Sequence, residues 1–289
     1  MMTRFFRPFA AALLLVALGI VPASAEPPVR VVSVGGAVTE IVYALGMQDR
    51  LVAVDATSIY PPAAEDLPDV GYMRQLAAEP ILALDPDLVL MIEDSGPPET
   101  LAQLEAAGLP IAPIPDTPTI AGVRDKIRRV ADALDRPEEG AALAAEVERA
   151  YTAVVDRLEG VTHRPRVLFL MAMGGGAPMA AGADTPAAAV IAMAGGQPAV
   201  PEMTGFKPLS PEAAAAAAPD VILVPDRTVE ALGGAEAILA RPELAATPAG
   251  RTGRLVSMDI MLLLGFGPRL PEAVADLATE LHPDRMAAR

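Results

Sequence analysis

The 289-residue chain has no cysteine, no tryptophan and only two histidines, and aromatic residues make up 3% of it. Without cysteine it can form no disulfide, no thiolate metal site and no cysteine nucleophile, and no residue is left for a lipid anchor behind an export signal. His163 falls at the end of a long charged helical stretch and His282 at the end of the last helical stretch, where a basic group complements the helix dipole. A Ser-His-Asp triad therefore has no placed base, and a histidine-rich metal site is excluded. Nucleotide signatures are missing too. The turn after the first strand, SVGGAVTE, lacks G-x-G-x-x-G, and Gly174-Gly175-Gly176 runs into Ala177-Pro178-Met179, which is not a phosphate-binding spacing. Basic residues are scarce: 22 Lys and Arg against 37 Asp and Glu leave a net charge of −15, which argues against nucleic acid and anionic lipid as partners.

What is present is an alanine-rich chain, 52% apolar, of a length that suits two domains of about 150 residues each. The first 25 residues read as a signal peptide. Arg4 and Arg7 precede an apolar run from Ala10 to Val21, and Ala23-Ser24-Ala25 supplies a small-residue cleavage site before Glu26. That run is shorter than the about 20 apolar residues a membrane span needs, and no later segment is long enough. The expectation is a soluble, monomeric, exported protein with no membrane anchor, free in a Gram-negative periplasm.

The pattern of elements is α/β. Arg30–Val34 reads as a strand, Gly35-Gly36 as a turn, Ala37–Leu45 as a helix and Leu51–Val54 as a second strand. A proline-rich loop follows over residues 55–75, then a short helix at Leu76–Leu84 stopped by Pro86, and a buried strand at Leu88–Ile92. A helix at Pro98–Ala107 and a strand at Ile111–Ile114 complete the first half. Residues 118–161 read as charged helix with Pro137 opening its second part, a stiff connector. The second half repeats the cadence: strand Arg166–Met171, a glycine run, a helix after Asp184, and Ala218-Pro219-Asp220 before Val221–Val224 as Asp85-Pro86-Asp87 stands before Leu88–Met91. Strand Leu255–Met258, the turn Gly265–Pro268 and helix Leu270–Leu281 close the chain. The expected domains are a signal at 1–25, a first lobe at 26–136, a connecting helix at 137–162 and a second lobe at 163–289.

A binding cleft needs apolar walls and a few convergent polar groups. Tyr72 and Arg74 stand two apart on an extended loop and so point to the same side, within reach of one ligand. Tyr60 lies in the same loop; Phe206, Lys207, Arg227 and Phe266 stand in loops or at strand ends of the second half, where open α/β sheets place ligands.

Three stretches carry a resemblance: Gly71–Glu79 (GYMRQLAAE), Gly205–Ala213 (GFKPLSPEA) and Leu263–Pro271 (LLGFGPRLP). They resemble the haemin-binding periplasmic proteins of ABC importers, over essentially the whole mature chain. The resemblance implies a class III periplasmic binding protein, two Rossmann-like lobes bridged by a single long α-helix, with ferric haem b held as transported ligand and no catalysis. It puts the axial tyrosine at Tyr72 and supporting arginines at Arg74 and Arg227. A hard ferric ion accepts a phenolate, and a guanidinium favours that anion and fits a propionate. Where some relatives carry a histidine in the second-lobe glycine loop, this chain has Met173, a soft thioether expected to pack rather than ligate; Tyr60 is a second candidate ligand. Glu99 and Glu212 match the glutamates with which related proteins meet arginines on the two permease subunits of an importer, a permease dimer with its ATPase.

Two alternatives stay open. The same fold could bind cobalamin or a ferric siderophore, against which stand the missing tryptophans and the few cationic residues. An exported α/β enzyme would need a histidine near a nucleophile, or a carboxylate cluster in the cleft loops.

Overall fold

The computed structural model describes residues 28–172 and 178–287. The expected export segment, Met173 and Gly174–Gly176 lie outside the described residues.

Two sheets form, one in each half. In the first, β1 (Val31–Val34), β2 (Leu51–Val54), β3 (Leu88–Ile92) and β4 (Ile111–Ile114) lie in the order β2-β1-β3-β4, all parallel. The second holds β5 (Arg166–Met171), β6 (Met179–Ala181), β7 (Gln197–Pro198), β8 (Phe206–Pro208), β9 (Val221–Pro225) and β10 (Leu255–Met258). Its order is β10-β9-β5-β6-β8, with β7 also on β5; β6 is antiparallel to β5 and β8, and the other pairings are parallel. β1, β3 and β9 are buried at every position, which is why β3 and β9 read as unbroken apolar runs and β1 is interrupted only by Ser33.

The repeated cadence has a bonding counterpart. The Arg30 N–H donates to Asp87 Oδ2 at 2.8 Å, and its guanidinium donates to the carbonyls of Leu84 and Asp85. The Arg166 N–H likewise donates to Asp220 Oδ2 at 2.8 Å, with its guanidinium on the carbonyls of Ala217 and Ala199. Asp85 and Ala218, two residues before the aspartates, both take positive φ, 47° and 42°. The backbone N–H groups of Arg30 and Val29 hold the Asp87 carboxyl below its usual range. The Asp-Pro-Asp and Ala-Pro-Asp stretches thus perform one task twice: each ends a helix and clips the start of a lobe's central strand.

The stretch expected as one charged helix is two, Ile120–Ala133 and Pro137–Arg157, broken where Asp135 turns to φ 59°. The first packs against the second, and the 21-residue second helix bridges the halves. Gly140 lets them cross closely, since a Cβ there would lie well inside contact distance of the Ala131 Cβ. Gly to Ala in a helix normally gains about 0.5–1 kcal/mol, but overpacking costs about 1–3 kcal/mol. Gly140→Ala is therefore expected to lose about 1 kcal/mol net by urea denaturation. No helix among the described residues is long and apolar enough to cross a membrane.

One apolar cluster runs from Val31, Val38 and Ile127 through Val147 of the bridging helix to Val167, Phe169, Leu263, Phe266 and Leu277 of the second half. A smaller one, around Leu168, Ile222 and Leu244, belongs to the second half alone.

Candidate functional site

The chain leaves β1 for β2 on one side and returns to β3 on the other, so the first sheet has its switch point between β1 and β3. Ligands of open α/β sheets sit beyond the strand C-termini at such a point. The loops there are tightly built. Asp55, 1% exposed, accepts from the Gly35 N–H at 2.8 Å, from Ser58 Oγ at 2.9 Å and from the Thr57 N–H at 3.1 Å. Ser33, Thr39 and Ser58 form a buried hydroxyl chain at 2.8 and 2.7 Å. Thr39 ties the helix Gly36–Ala44 to the β1 end and to the loop that leads to Tyr60.

The Tyr72 loop is pinned to the loop after β3. The Gly96 N–H donates to the Met73 carbonyl and the Leu76 N–H to the Gly96 carbonyl, each at 2.9 Å. Gly71, at φ 97°, turns the chain into this segment, a conformation open to glycine at little cost. Met73 and Leu76 are buried, while Tyr72, 40% exposed, and Arg74 face out together. Arg74 Nη1 donates to the Tyr72 phenol oxygen at 2.9 Å.

The other expected residues are placed less alike. Arg227 is exposed in the first turn of helix Asp226–Ala231, at the C-terminal end of β9, and no hydrogen bond joins it to Tyr72 or Arg74 among the described residues. Lys207 is exposed on β8 with its Nζ 3.3 Å from Thr204 Oγ1. Phe206 is half-buried, edge-on to Phe169 at 6.1 Å. Phe266 departs from the expectation of a cleft wall. It is 1% exposed and belongs to the shared core, with its backbone at φ 48° and its carbonyl bound by Lys126. Glu99 and Glu212 are exposed and identically placed, each directly after the proline that opens its helix, Pro98–Ala106 and Pro211–Ala217.

Three charged residues to which the sequence reading gave no role converge on this end of the molecule. Arg269 donates from Nη2 and Nε to the two carboxylate oxygens of Glu40, at 2.6 and 3.1 Å, and its guanidinium carbon lies 3.5 Å from the centroid of the Tyr60 ring. Burial foremost pushes the Glu40 carboxyl up, against the pull of Arg269. Lys126, fully buried, donates to Asp116 Oδ1 at 2.6 Å and to the Phe266 and Gly265 carbonyls at 3.2 and 3.3 Å. The one available signal was Glu40 itself, a lone charge in the otherwise largely apolar helix GAVTEIVYA.

A depression of about 500 Å³ lies elsewhere, along β10, lined by Asp226, Asp259, Asp276 and Glu280. Four carboxylates make it a poor seat for an anionic ligand. Among the described residues no group of three or more His, Cys, Asp or Glu is arranged to hold a metal ion.

The model of the periplasmic binding protein family matches residues 31–260. The chain belongs to that family. Its fold is shared with the periplasmic heme-binding protein RhuT from Roseiflexus sp. RS-1, 45% identical, over 89% of this chain and 98% of that one at a TM-score of 0.85. The periplasmic heme-binding protein BhuT in complex with two hemes is 44% identical, with 89% and 98% covered and a TM-score of 0.84. Among curated proteins, the vitamin B12-binding protein of Yersinia pestis (strain Pestoides F) is 36% identical over 163 residues, 56% of each chain, so the match spans little more than half the length of that relative. The resemblance drawn from Gly71–Glu79, Gly205–Ala213 and Leu263–Pro271 therefore holds, as does the class III fold it implied. The family and these solved neighbours are binding proteins rather than enzymes.

Proposed function

We propose that this protein binds ferric haem between its lobes and delivers it to an ABC importer of the inner membrane. The observation that carries the reading is the outward-facing Tyr72 with the Arg74 guanidinium on its phenol oxygen. A cationic donor there favours the negative charge that oxygen carries when it ligates iron. Arg227, at the end of a second-half strand, is suited to a propionate, and Lys207 and Phe206 supply a cation and an aromatic ring on β8. Similarity to two heme-binding proteins over nearly their whole length supports the ligand class.

The mature protein is taken to begin near Glu26, in the periplasm, as a monomer with lobes at 26–136 and 163–289 and the connecting helix at 137–162. Glu99 and Glu212 are the proposed contacts with the two permease subunits; their matched places after helix-opening prolines support it. Cobalamin is the second reading, favoured by the curated vitamin B12-binding relatives. An absorption titration of the purified protein separates the two. Haemin is expected to give the charge-transfer band of phenolate ligation, with cyanocobalamin leaving the protein unsaturated; saturation by cyanocobalamin and no haemin band would reverse the assignment.

A further inference from the structure

The segment from Gly265 to Arg269 belongs to the second half of the chain but is fixed to the first at several points. Lys126, on helix Ile120–Ala133, holds the carbonyls of Gly265 and Phe266. A Cβ on Gly267 would lie 3.1 Å from Glu40 Oε2 and 3.5 Å from Ala37, so the turn rests directly on helix Gly36–Ala44. Just before it, Met261 reaches the same helix start, with its Cε 2.7 Å from where a Cβ on Gly36 would stand. Arg269 then closes a two-pronged pair with Glu40, the side chains 18% and 6% exposed. One face of the Arg269 guanidinium is laid on the ring of Tyr60, a residue that remains 41% exposed.

A buried ion pair is a weak source of stability, because desolvation offsets much of the attraction. What a guanidinium forked onto a carboxylate supplies is a fixed distance and a fixed plane. Here Glu40 of the first half fixes the plane of the Arg269 guanidinium from the second, and the face of that plane lies over the Tyr60 ring beside the switch-point loops. We propose that Glu40 and Arg269 are positioning residues of the ligand cleft: the pair sets the separation of the lobes before ligand arrives and holds the Tyr60 ring as a platform for a flat aromatic macrocycle. The platform part rests on the haem reading above; the separation part does not. Tyr60 then packs against the ligand through its ring and does not ligate iron through its oxygen.

Two measurements test this on the full mature protein. Because the chain has no cysteine, spin labels go uniquely onto Glu105→Cys and Glu236→Cys, exposed positions on helices Pro98–Ala106 and Ala235–Leu239 of opposite halves. The background protein is expected to give one narrow distance distribution that haemin leaves unchanged, and Arg269→Lys or Glu40→Gln to broaden it. In parallel, haemin affinity is expected to fall about 10-fold in Arg269→Lys, the scale seen when a group supporting a metal site is lost. Tyr60→Ala is expected to lose about as much, and Tyr60→Phe, which keeps the ring and removes the oxygen, to lose much less and to retain the iron band. Arg269→Lys retains the charge, so it serves if Glu40→Gln does not fold. An unbroadened distribution in Arg269→Lys overturns the positioning role, and loss of the iron band in Tyr60→Phe overturns the platform role. If the unsubstituted protein binds no haemin, the haem reading falls and the distance distributions still decide the rest.

Discussion

Tyr72→Ala is expected to abolish the phenolate charge-transfer band and to weaken haemin binding by at least about 100-fold, since loss of mere supporting groups around a metal costs about 10–100-fold. Tyr72→Phe should do nearly the same, because it keeps the ring and removes only the oxygen that Arg74 touches. Arg74→Ala leaves the oxygen in place, so the band should persist while affinity falls about 10-fold. The loop itself should survive all three changes. Its anchors are the buried Met73 and Leu76 and the two backbone bonds to Gly96, none of which involves the exposed side chains. Equal spectra for the wild type and Tyr72→Ala would remove Tyr72 as the ligand and turn attention to Tyr60.

The second large effect is on stability. Lys126→Met is expected to lower the unfolding free energy by about 3 kcal/mol, because hydrogen bonds to a charged donor contribute about 1.5–3 kcal/mol each and two carbonyls, that of Phe266 buried and that of Gly265 part-buried, would lose theirs. Against this stands relief from burying an ammonium. Burial pushes the Lys126 amine down, and Asp116 pulls it back up. Asp116 has a side chain 38% exposed and recovers water when Lys126 is gone, so it adds little to the cost. For a chain of this size about 3 kcal/mol corresponds to a fall in Tm of about 6–12 °C, readable by calorimetry. An unchanged Tm would mean that desolvation already cancels the bonds this lysine makes.

The strands with continuous apolar runs were legible from sequence. Leu51–Val54, Leu88–Ile92, Ile111–Ile114, Arg166–Met171 and Leu255–Met258 form as read, and Leu88–Ile92, buried at every position, needs no other pattern. β6, β7 and β8 escaped, being two or three residues long with no room for a period. The break at Asp135 escaped too. The alanine-rich stretch keeps its helical composition across it, and Pro137, favourable in the first turn of a helix, marked a new start and was read as a mid-point. At the site, Tyr72 and Arg74 do meet, but across a turn in which the Gln75 N–H donates to the Tyr72 carbonyl at 2.7 Å, and not along the extended loop from which their pairing was expected. The place of Phe266 was not legible, since its positive φ turns the backbone so that the carbonyl meets Lys126 and the ring enters the core. Glu40, Lys126 and Arg269 lie far apart in the chain. Only the return of the chain over residues 259–269 brings them together, and nothing local announces such a meeting.

The apolar cluster that runs unbroken through both halves has a thermodynamic consequence. Most of the first half's core and the inner layer of the second are one body, so neither half can melt without exposing the other's apolar surface. Cooperativity is then a property of the whole chain, and only the outer cluster around Leu168, Ile222 and Leu244 is placed to loosen alone. A ligand held at the junction is coupled to that single equilibrium, and the free energy of its binding is spread over the stability of both halves.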